Sequence, residues 1–121
     1  MITQVKLVGI PVKDQDRALA FYTEKLGFKV ATDQPMGEGQ RWIELKVPGA
    51  ETRVALFTPP GQEDLVGRQW NGSFACDNVQ ETYEVLRAAG VEFVSEPQAQ
   101  PWGKFMILKD PDGNQLVVGS K

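Results

Sequence analysis

The strongest constraint on the fold of this 121-residue chain is that its two halves repeat one pattern. Each half reads as a strand, a helix and three further strands. The first helix lies between Asp14 and Gly27, and the second lies between Asp77 and Gly90, 63 residues further along. An acidic residue before a helix and a glycine after it are typical end signals. Two copies are too few for a solenoid, and two common patterns could coincide, but we favour a duplicated βαβββ module.

The positions of the elements follow from local composition. Asp14 or Asp16 can cap the first helix, and Asp77 or Asn78 the second. Short segments that are apolar and rich in β-branched or aromatic residues predict strands at 5–12, 28–30, 42–47, 53–57, 73–76, 91–94, 105–108 and 116–118. Segments 32–40 and 96–101 contain proline and are predicted to be loops. We therefore predict one domain over residues 1–121, with modules at about 1–58 and 71–121 joined by a linker at about 59–70.

The composition excludes several classes of chemistry. The chain has no histidine, which excludes a histidine metal ligand, a histidine general base and any Ser–His or Cys–His pair. Its one cysteine, Cys76, excludes an internal disulfide and fits a reducing cytoplasm. Thirteen basic and sixteen acidic residues give a net charge of −3, and the basic residues are scattered. With neither a spanning apolar stretch nor a signal-peptide pattern, we expect a cytoplasmic protein that binds neither nucleic acid nor membrane.

Two motifs carry a resemblance to a known family. Residues 12–28, which read VKDQDRALAFYTEKLGF, closely resemble the first-helix signature of the vicinal oxygen chelate superfamily, which includes glyoxalase I, extradiol dioxygenases, and fosfomycin- and bleomycin-resistance proteins. Residues 110–114, which read DPDGN, resemble its C-terminal hairpin signature. The resemblance covers essentially the whole chain. It implies an α+β fold in which two βαβββ modules form a curved mixed sheet with a concave cup for a small molecule, and it implies a homodimer.

The same resemblance locates four metal-ligand positions. Metal enzymes of the superfamily place His, Glu or Gln at inward-facing strand positions, which fall here on Leu7, Ala55, Asn71 and Val117. Three of these side chains cannot bind a metal, and one asparagine is a weak donor. The neighbouring residues offer no plausible ligand either, so we expect no family-type metal site and no cofactor. Glyoxalase isomerisation and extradiol cleavage both require the ion, whereas bleomycin-resistance proteins bind their drug without catalysing anything.

Strand alternation predicts which side chains face the cup. Trp42 and Glu44 alternate with apolar residues, and Arg53 and Phe57 belong to the mixed row of the next strand. A tryptophan beside a carboxylate suits a planar or cationic ligand, although Trp42 could instead pack at a dimer interface. Arg53 could clamp a carboxylate or phosphate, or it could pair with Glu44 across the two strands.

Four residues outside these strands need separate interpretation. Asn71, at the start of the second module, is a candidate ligand contact. Trp102 either lines the rim of the cup or anchors a loop. Trp70 either closes over the cup or seals the junction between the modules. Cys76 is expected to be a buried, inert thiol.

Three functions remain open from the sequence. The first is a small-molecule binding protein that works without a metal, with resistance-type sequestration as its role. The second is a lyase, isomerase or dioxygenase of the same superfamily. Such an enzyme would use Glu44 as a general base with Arg53 stabilising an oxyanion, or a non-standard metal at carboxylates such as Glu44 and Glu38. The third is a module that acts only through protein partners.

Overall fold

Two four-stranded mixed sheets form the fold, in a computed structural model that describes residues 1–37 and 39–120. The first sheet has the order β1-β4-β3-β2 and comprises β1 (Leu7–Pro11), β2 (Lys29–Gly37), β3 (Gln40–Lys46) and β4 (Arg53–Phe57). The second has the order β5-β8-β7-β6 and comprises β5 (Ser73–Cys76), β6 (Glu92–Gln100), β7 (Gly103–Lys109) and β8 (Gln115–Ser120). In each sheet the first and last strands along the chain are neighbours and run parallel: β1 pairs with β4, and β5 pairs with β8. The α+β class and the repeated βαβββ pattern are confirmed, but the curved surface consists of two sheets rather than one.

One helix follows the first strand of each module. Helix α1 (Gln15–Ala20) continues into a π-helical turn (Phe21–Lys25), and α2 covers Val79–Ala88. Asp14 caps α1 and Asn78 caps α2, each side chain accepting a backbone hydrogen bond of 3.0 Å from the third residue after it. In the part of the chain that the structure describes, no helix is long and apolar enough to cross a membrane.

The two predicted proline loops are wrong. Residues 32–37 belong to β2, and residues 96–100 belong to β6. Both strands lie at the outer edge of their sheet. A proline there can direct its nitrogen, which lacks a hydrogen, away from the neighbouring strand, so no hydrogen bond between strands is lost. The pairing register shifts just after Pro35 and between Ser95 and Gln98, the interval that contains Pro97, so each proline is accommodated by a bulge.

The core lies on one face of each sheet. Its fully buried side chains come from both modules and include Ile10, Val12, Tyr22, Ile43, Leu45, Leu56, Met106, Leu108 and Leu116. The residues that alternate with them along each strand point to the opposite face. The candidate site must therefore be sought on those opposite faces.

The DPDGN hairpin joins the second module to the first. The Tyr22 hydroxyl donates a 2.8 Å hydrogen bond to Asp110, and the Asn114 side chain donates one of 2.8 Å to the Pro11 carbonyl. Asp110 also accepts hydrogen bonds from the Asn114 side chain and from the backbone N–H groups of Asp112 and Asn114. Burial raises the pKa of Asp110 although these hydrogen bonds oppose the shift. Burial, together with the charge of Asp110, also raises the pKa of the Tyr22 phenol, which therefore stays protonated as a donor.

Candidate functional site

The first sheet presents small residues flanked by aromatic and charged ones on the face opposite the core. Gly9, Ala55 and Glu44 lie side by side across β1, β4 and β3. Phe57 lies two residues after Ala55 on β4, and Trp42 lies two residues before Glu44 on β3, so both share this face. Arg53 lies two residues before Ala55 and shares it as well. We call these six residues, Gly9, Trp42, Glu44, Arg53, Ala55 and Phe57, the cup face.

Glu44 is the electrostatic centre of the cup face. Its Oε2 accepts a 2.7 Å hydrogen bond from Trp42 Nε1, and its Oε1 accepts one of 3.1 Å from the Arg53 guanidinium. The Glu44 side chain is 13% exposed, whereas that of Arg53 is 38% exposed. The hydrogen bond from Trp42, and then the hydrogen bond and charge of Arg53, lower the pKa of Glu44. The carboxylate is thus ionised at neutral pH, and it orients the indole and the guanidinium.

The predicted pairing of Arg53 with Glu44 is confirmed by this geometry. The hydrogen bond from Trp42 to Glu44 is a further feature that the sequence prediction did not contain. Its sequence signal is the spacing of two residues on one strand, which puts both side chains on one face.

Gly9 is required by the position of Phe57. A Cβ atom at Gly9 would lie 2.9 Å from Cε1 of Phe57, so the ring lies directly against the glycine backbone. Gly9 is absent from the predicted site residues. The signal that marks it is a glycine inside an apolar strand, where a close approach by another group is a common reason.

The second sheet has a hollow of about 450 Å³ on its corresponding face. Ala75 and Gly119, which pair across β5 and β8, line it together with Phe105 and Val117. Trp102 stands at the turn between β6 and β7, lines the hollow and is 78% exposed. The lining of the hollow is mixed, because Ser73, Lys104 and Ser120 accompany the apolar side chains.

The predicted site residues divide between these places. Trp42, Glu44, Arg53 and Phe57 lie together on the cup face, whereas Trp102 belongs to the second sheet. Asn71 lies before the start of β5 and is exposed. In β5 the residue that pairs with Val117 is Ser73 rather than Asn71.

Two other residues lie at the junction between the modules. Trp70 stacks on Phe74 with 5.9 Å between ring centroids and packs against the core. Cys76 is a free thiol that is partly exposed rather than buried. Both residues line a cavity between the two sheets.

The donor atoms available do not fit the metal site of the superfamily. Three of the positions that the resemblance gives for metal ligands carry hydrocarbon side chains, those of Leu7, Ala55 and Val117. The fourth, Asn71, offers one weak donor and lies outside β5. Within residues 1–37 and 39–120, no group of three or more Cys, Asp or Glu residues is placed to hold a metal ion. Glu38, the second carboxylate of the alternative metal hypothesis, lies outside the described residues.

Comparison with known proteins gives consistent matches over the whole chain. The family model for the Glyoxalase/Bleomycin resistance protein/Dioxygenase superfamily matches residues 4–118. The protein YetH of Bacillus subtilis is 40% identical over 118 residues, which are 98% of each chain.

Two solved structures are also similar. A member of the same superfamily from Sphaerobacter thermophilus is 35% identical and covers 99% of this chain and 98% of its own, with a TM-score of 0.85. TnmS3, an antibiotic binding protein from Streptomyces sp. CB03234, is 32% identical and covers 98% of this chain and 96% of its own, with a TM-score of 0.88.

Proposed function

The chain belongs to the Glyoxalase/Bleomycin resistance protein/Dioxygenase superfamily, and on that premise we propose that it binds a planar aromatic small molecule on its cup face without a metal. The observation that carries this proposal is the hydrogen-bonded group of Trp42, Glu44 and Arg53. The similarity to TnmS3, an antibiotic binding protein, supports a role in sequestering such a molecule. A free thiol at Cys76 fits a cytoplasmic location for this role.

The arrangement of Trp42 favours a flat ligand. Its indole is held by Glu44 before any ligand arrives, so little side-chain entropy is lost when a ring stacks on it. Gly9 is exposed and lets a flat molecule approach the sheet, and the ring of Phe57 beside it offers a second aromatic surface. Aromatic pairs of this kind contribute about 0.5–1.5 kcal/mol beyond the burial of area.

The charges on the cup face favour an oxygen-bearing or anionic substituent. Both carboxylate oxygens of Glu44 already accept hydrogen bonds, which reduces its attraction for a ligand cation. Arg53 uses one of its donors on Glu44 and is more exposed, so its other N–H groups can bind a carbonyl or carboxylate.

We propose further that the binding unit is a homodimer. The cup face covers only one side of a ligand, and the hollow of the second sheet is open, with aromatic side chains at Phe105 and Trp102. A second copy that placed this hollow over the cup face would enclose the ligand and bring Trp102 to the rim. Light scattering coupled to gel filtration tests this, with the mass of two chains expected and the mass of one chain at all concentrations contradicting it.

Two fluorescent probes of opposite charge test the ligand class. We expect anthracene-2-carboxylate to bind more tightly than 9-aminoacridine when each is titrated with protein. A clear preference for the cation would contradict the assigned role of Arg53. A failure of both probes, and of a neutral anthracene amide, to bind or to raise the melting temperature would contradict the proposed function.

The Glu44→Gln variant should change the charge preference of the cup face. Removal of the carboxylate frees Arg53 and leaves its charge uncompensated, so the affinity for anthracene-2-carboxylate should rise by roughly threefold to tenfold. Because the pKa of Glu44 is lowered, wild-type affinity should stay constant from pH 8 down to about pH 5. An unchanged affinity in Glu44→Gln would show that Arg53 does not contact the ligand.

The Gly9→Ala variant should narrow the cup face with little loss of stability. The new methyl group displaces the ring of Phe57, which is the free end of a side chain. We expect the affinity for anthracene-2-carboxylate to fall by about fivefold, and the free energy of unfolding to change by less than about 1 kcal/mol. Val85→Ala, at an exposed residue of α2, is the control. Equal effects of both variants would contradict a binding role specific to the cup face.

The geometry does not favour the enzyme alternative that uses Glu44 as a general base. A carboxylate whose pKa is lowered by two hydrogen bonds is a poor proton acceptor. Its oxygens are also directed to Trp42 and Arg53.

A further inference from the structure

The two modules differ at the end of one strand pair. Strands β3 and β7 each have seven residues, and Trp42 and Phe105 are the third residue of each. In the second module the pairing of β7 with β8 extends to Phe105, which lies opposite Gly119. In the first module Phe57 is the residue that would lie opposite Trp42, but the pairing of β3 with β4 stops one position earlier, at Ile43.

The side chain of Gln15 takes over where this pairing stops. Its Nε2 donates hydrogen bonds to the carbonyl oxygens of Arg41, at 2.7 Å, and of Leu56, at 3.0 Å. Its Oε1 accepts a hydrogen bond of 3.2 Å from the N–H group of Arg41. Two residues that form a hydrogen-bonded pair in an antiparallel sheet exchange bonds in this same way. The amide of Gln15 therefore occupies the place of the next β4 residue, Thr58, and ends the ladder.

The second module has a hydrocarbon side chain at the corresponding position. Alignment of the helix caps Asp14 and Asn78 makes Val79 the counterpart of Gln15. Val79 is buried in the core and cannot form a hydrogen bond with a strand end. The change from an amide to a valine thus accompanies the longer ladder of the second module.

The rings of Trp42 and Phe57 are directed away from each other. Side chains that lie opposite one another on antiparallel strands are close enough to interact, and aromatic pairs are favourable there. The Trp42 indole is instead hydrogen-bonded to Glu44, and the Phe57 ring lies against Gly9. Among residues 1–37 and 39–120, the aromatic ring contacts do not include one between Trp42 and Phe57.

We propose that Gln15 is a positioning residue of the cup face. By ending the ladder it keeps the rings of Trp42 and Phe57 apart, so that a flat ring of the ligand enters between them. Without its amide, Arg41 exchanges hydrogen bonds with Thr58, the ladder extends as in the second module, and the two rings close on each other. This inference rests on the proposed function and deepens it, because it makes Gln15 a determinant of the preference for planar molecules.

The Gln15→Met variant tests the inference on the whole protein. Methionine has a similar size but cannot form the three hydrogen bonds. Two anions are compared, the flat anthracene-2-carboxylate and the globular adamantane-1-carboxylate. We expect the preference for the flat anion to fall by about threefold to tenfold, as the loss of one stacked ring implies. Gln80→Met makes the same exchange at an exposed residue of α2 and should leave the preference unchanged.

A second readout needs no ligand. The nuclear Overhauser effect between the ring protons of Trp42 and Phe57 should strengthen in Gln15→Met and stay as in the wild type in Gln80→Met. An unchanged Overhauser effect, an unchanged preference, or an equal loss of affinity for both anions would overturn the role of Gln15 while the proposed function stands. Failure of the wild type to bind anthracene-2-carboxylate would overturn the proposed function and this inference with it.

Discussion

Replacement of Asp110 by asparagine is expected to lower the free energy of unfolding by about 3 kcal/mol, or the melting temperature by on the order of 10 °C. Asp110 is 5% exposed, and its carboxyl accepts hydrogen bonds from Tyr22, Asn114 and two backbone N–H groups. An asparagine can satisfy the two backbone donors, but its NH₂ group then faces the Tyr22 hydroxyl and the Asn114 amide. Thermal and urea unfolding of the two proteins measure the difference.

The pH dependence of this difference follows from the raised pKa of Asp110. The folded protein binds the proton more tightly than the unfolded chain, so this contribution to stability is largest below the ordinary pKa near 4 and declines as the pH rises. The advantage of the wild type over Asp110→Asn should therefore be larger at pH 4 than at pH 7. Asp16→Ala is the control, because the Asp16 side chain pairs with Arg41 within the first module, is 86% exposed and should contribute less than about 1 kcal/mol. A loss in Asp16→Ala as large as that in Asp110→Asn would refute the buried network as the link between modules.

Replacement of Trp42 by alanine is expected to weaken binding of anthracene-2-carboxylate by about 10- to 100-fold. The variant removes the aromatic surface, and a stacked, buried ring contributes on the order of 1.5–3 kcal/mol. It also removes the N–H donor that fixes the Glu44 carboxylate, so Glu44 no longer holds the Arg53 guanidinium in one orientation. Fluorescence titration of the probe measures the change.

The conservative variant Trp42→Phe separates the two contributions of this residue. It keeps an aromatic ring but cannot donate to Glu44, so we expect a loss of only about threefold. Val85→Ala, an exposed residue of α2, should leave the affinity unchanged. A loss in Trp42→Phe equal to that in Trp42→Ala would mean that the hydrogen bond, rather than stacking, controls binding.

Much of the fold could be predicted because local signals agreed with the tertiary structure. The caps Asp14 and Asn78 and the DPDGN turn are local devices, and they occur where the sequence indicates. The starts of the edge strands β2 and β6 are predicted, but their continuation through Pro35 and Pro97 is not, because these prolines are typical of loops. Whether a proline interrupts a strand depends on the strand's place in the sheet, which no local pattern contains.

The candidate site could be predicted only where one sheet supplies it. Alternation along β3 and β4 was enough to group Trp42 and Glu44 with Arg53. The close approach of Phe57 to Gly9 depends on side-chain packing across β1 and β4, which spacing does not reveal. Asn71 was assigned by counting back from a helix, but β5 begins only at Ser73.

Calorimetric titration of anthracene-2-carboxylate into chelator-treated protein tests whether the cup face binds a ligand without a metal. We expect saturable binding to the metal-free protein, unchanged when zinc, nickel, manganese or iron(II) is restored, and weakened at least tenfold in Trp42→Ala. Binding that occurs only after one equivalent of metal per chain has been restored would contradict it.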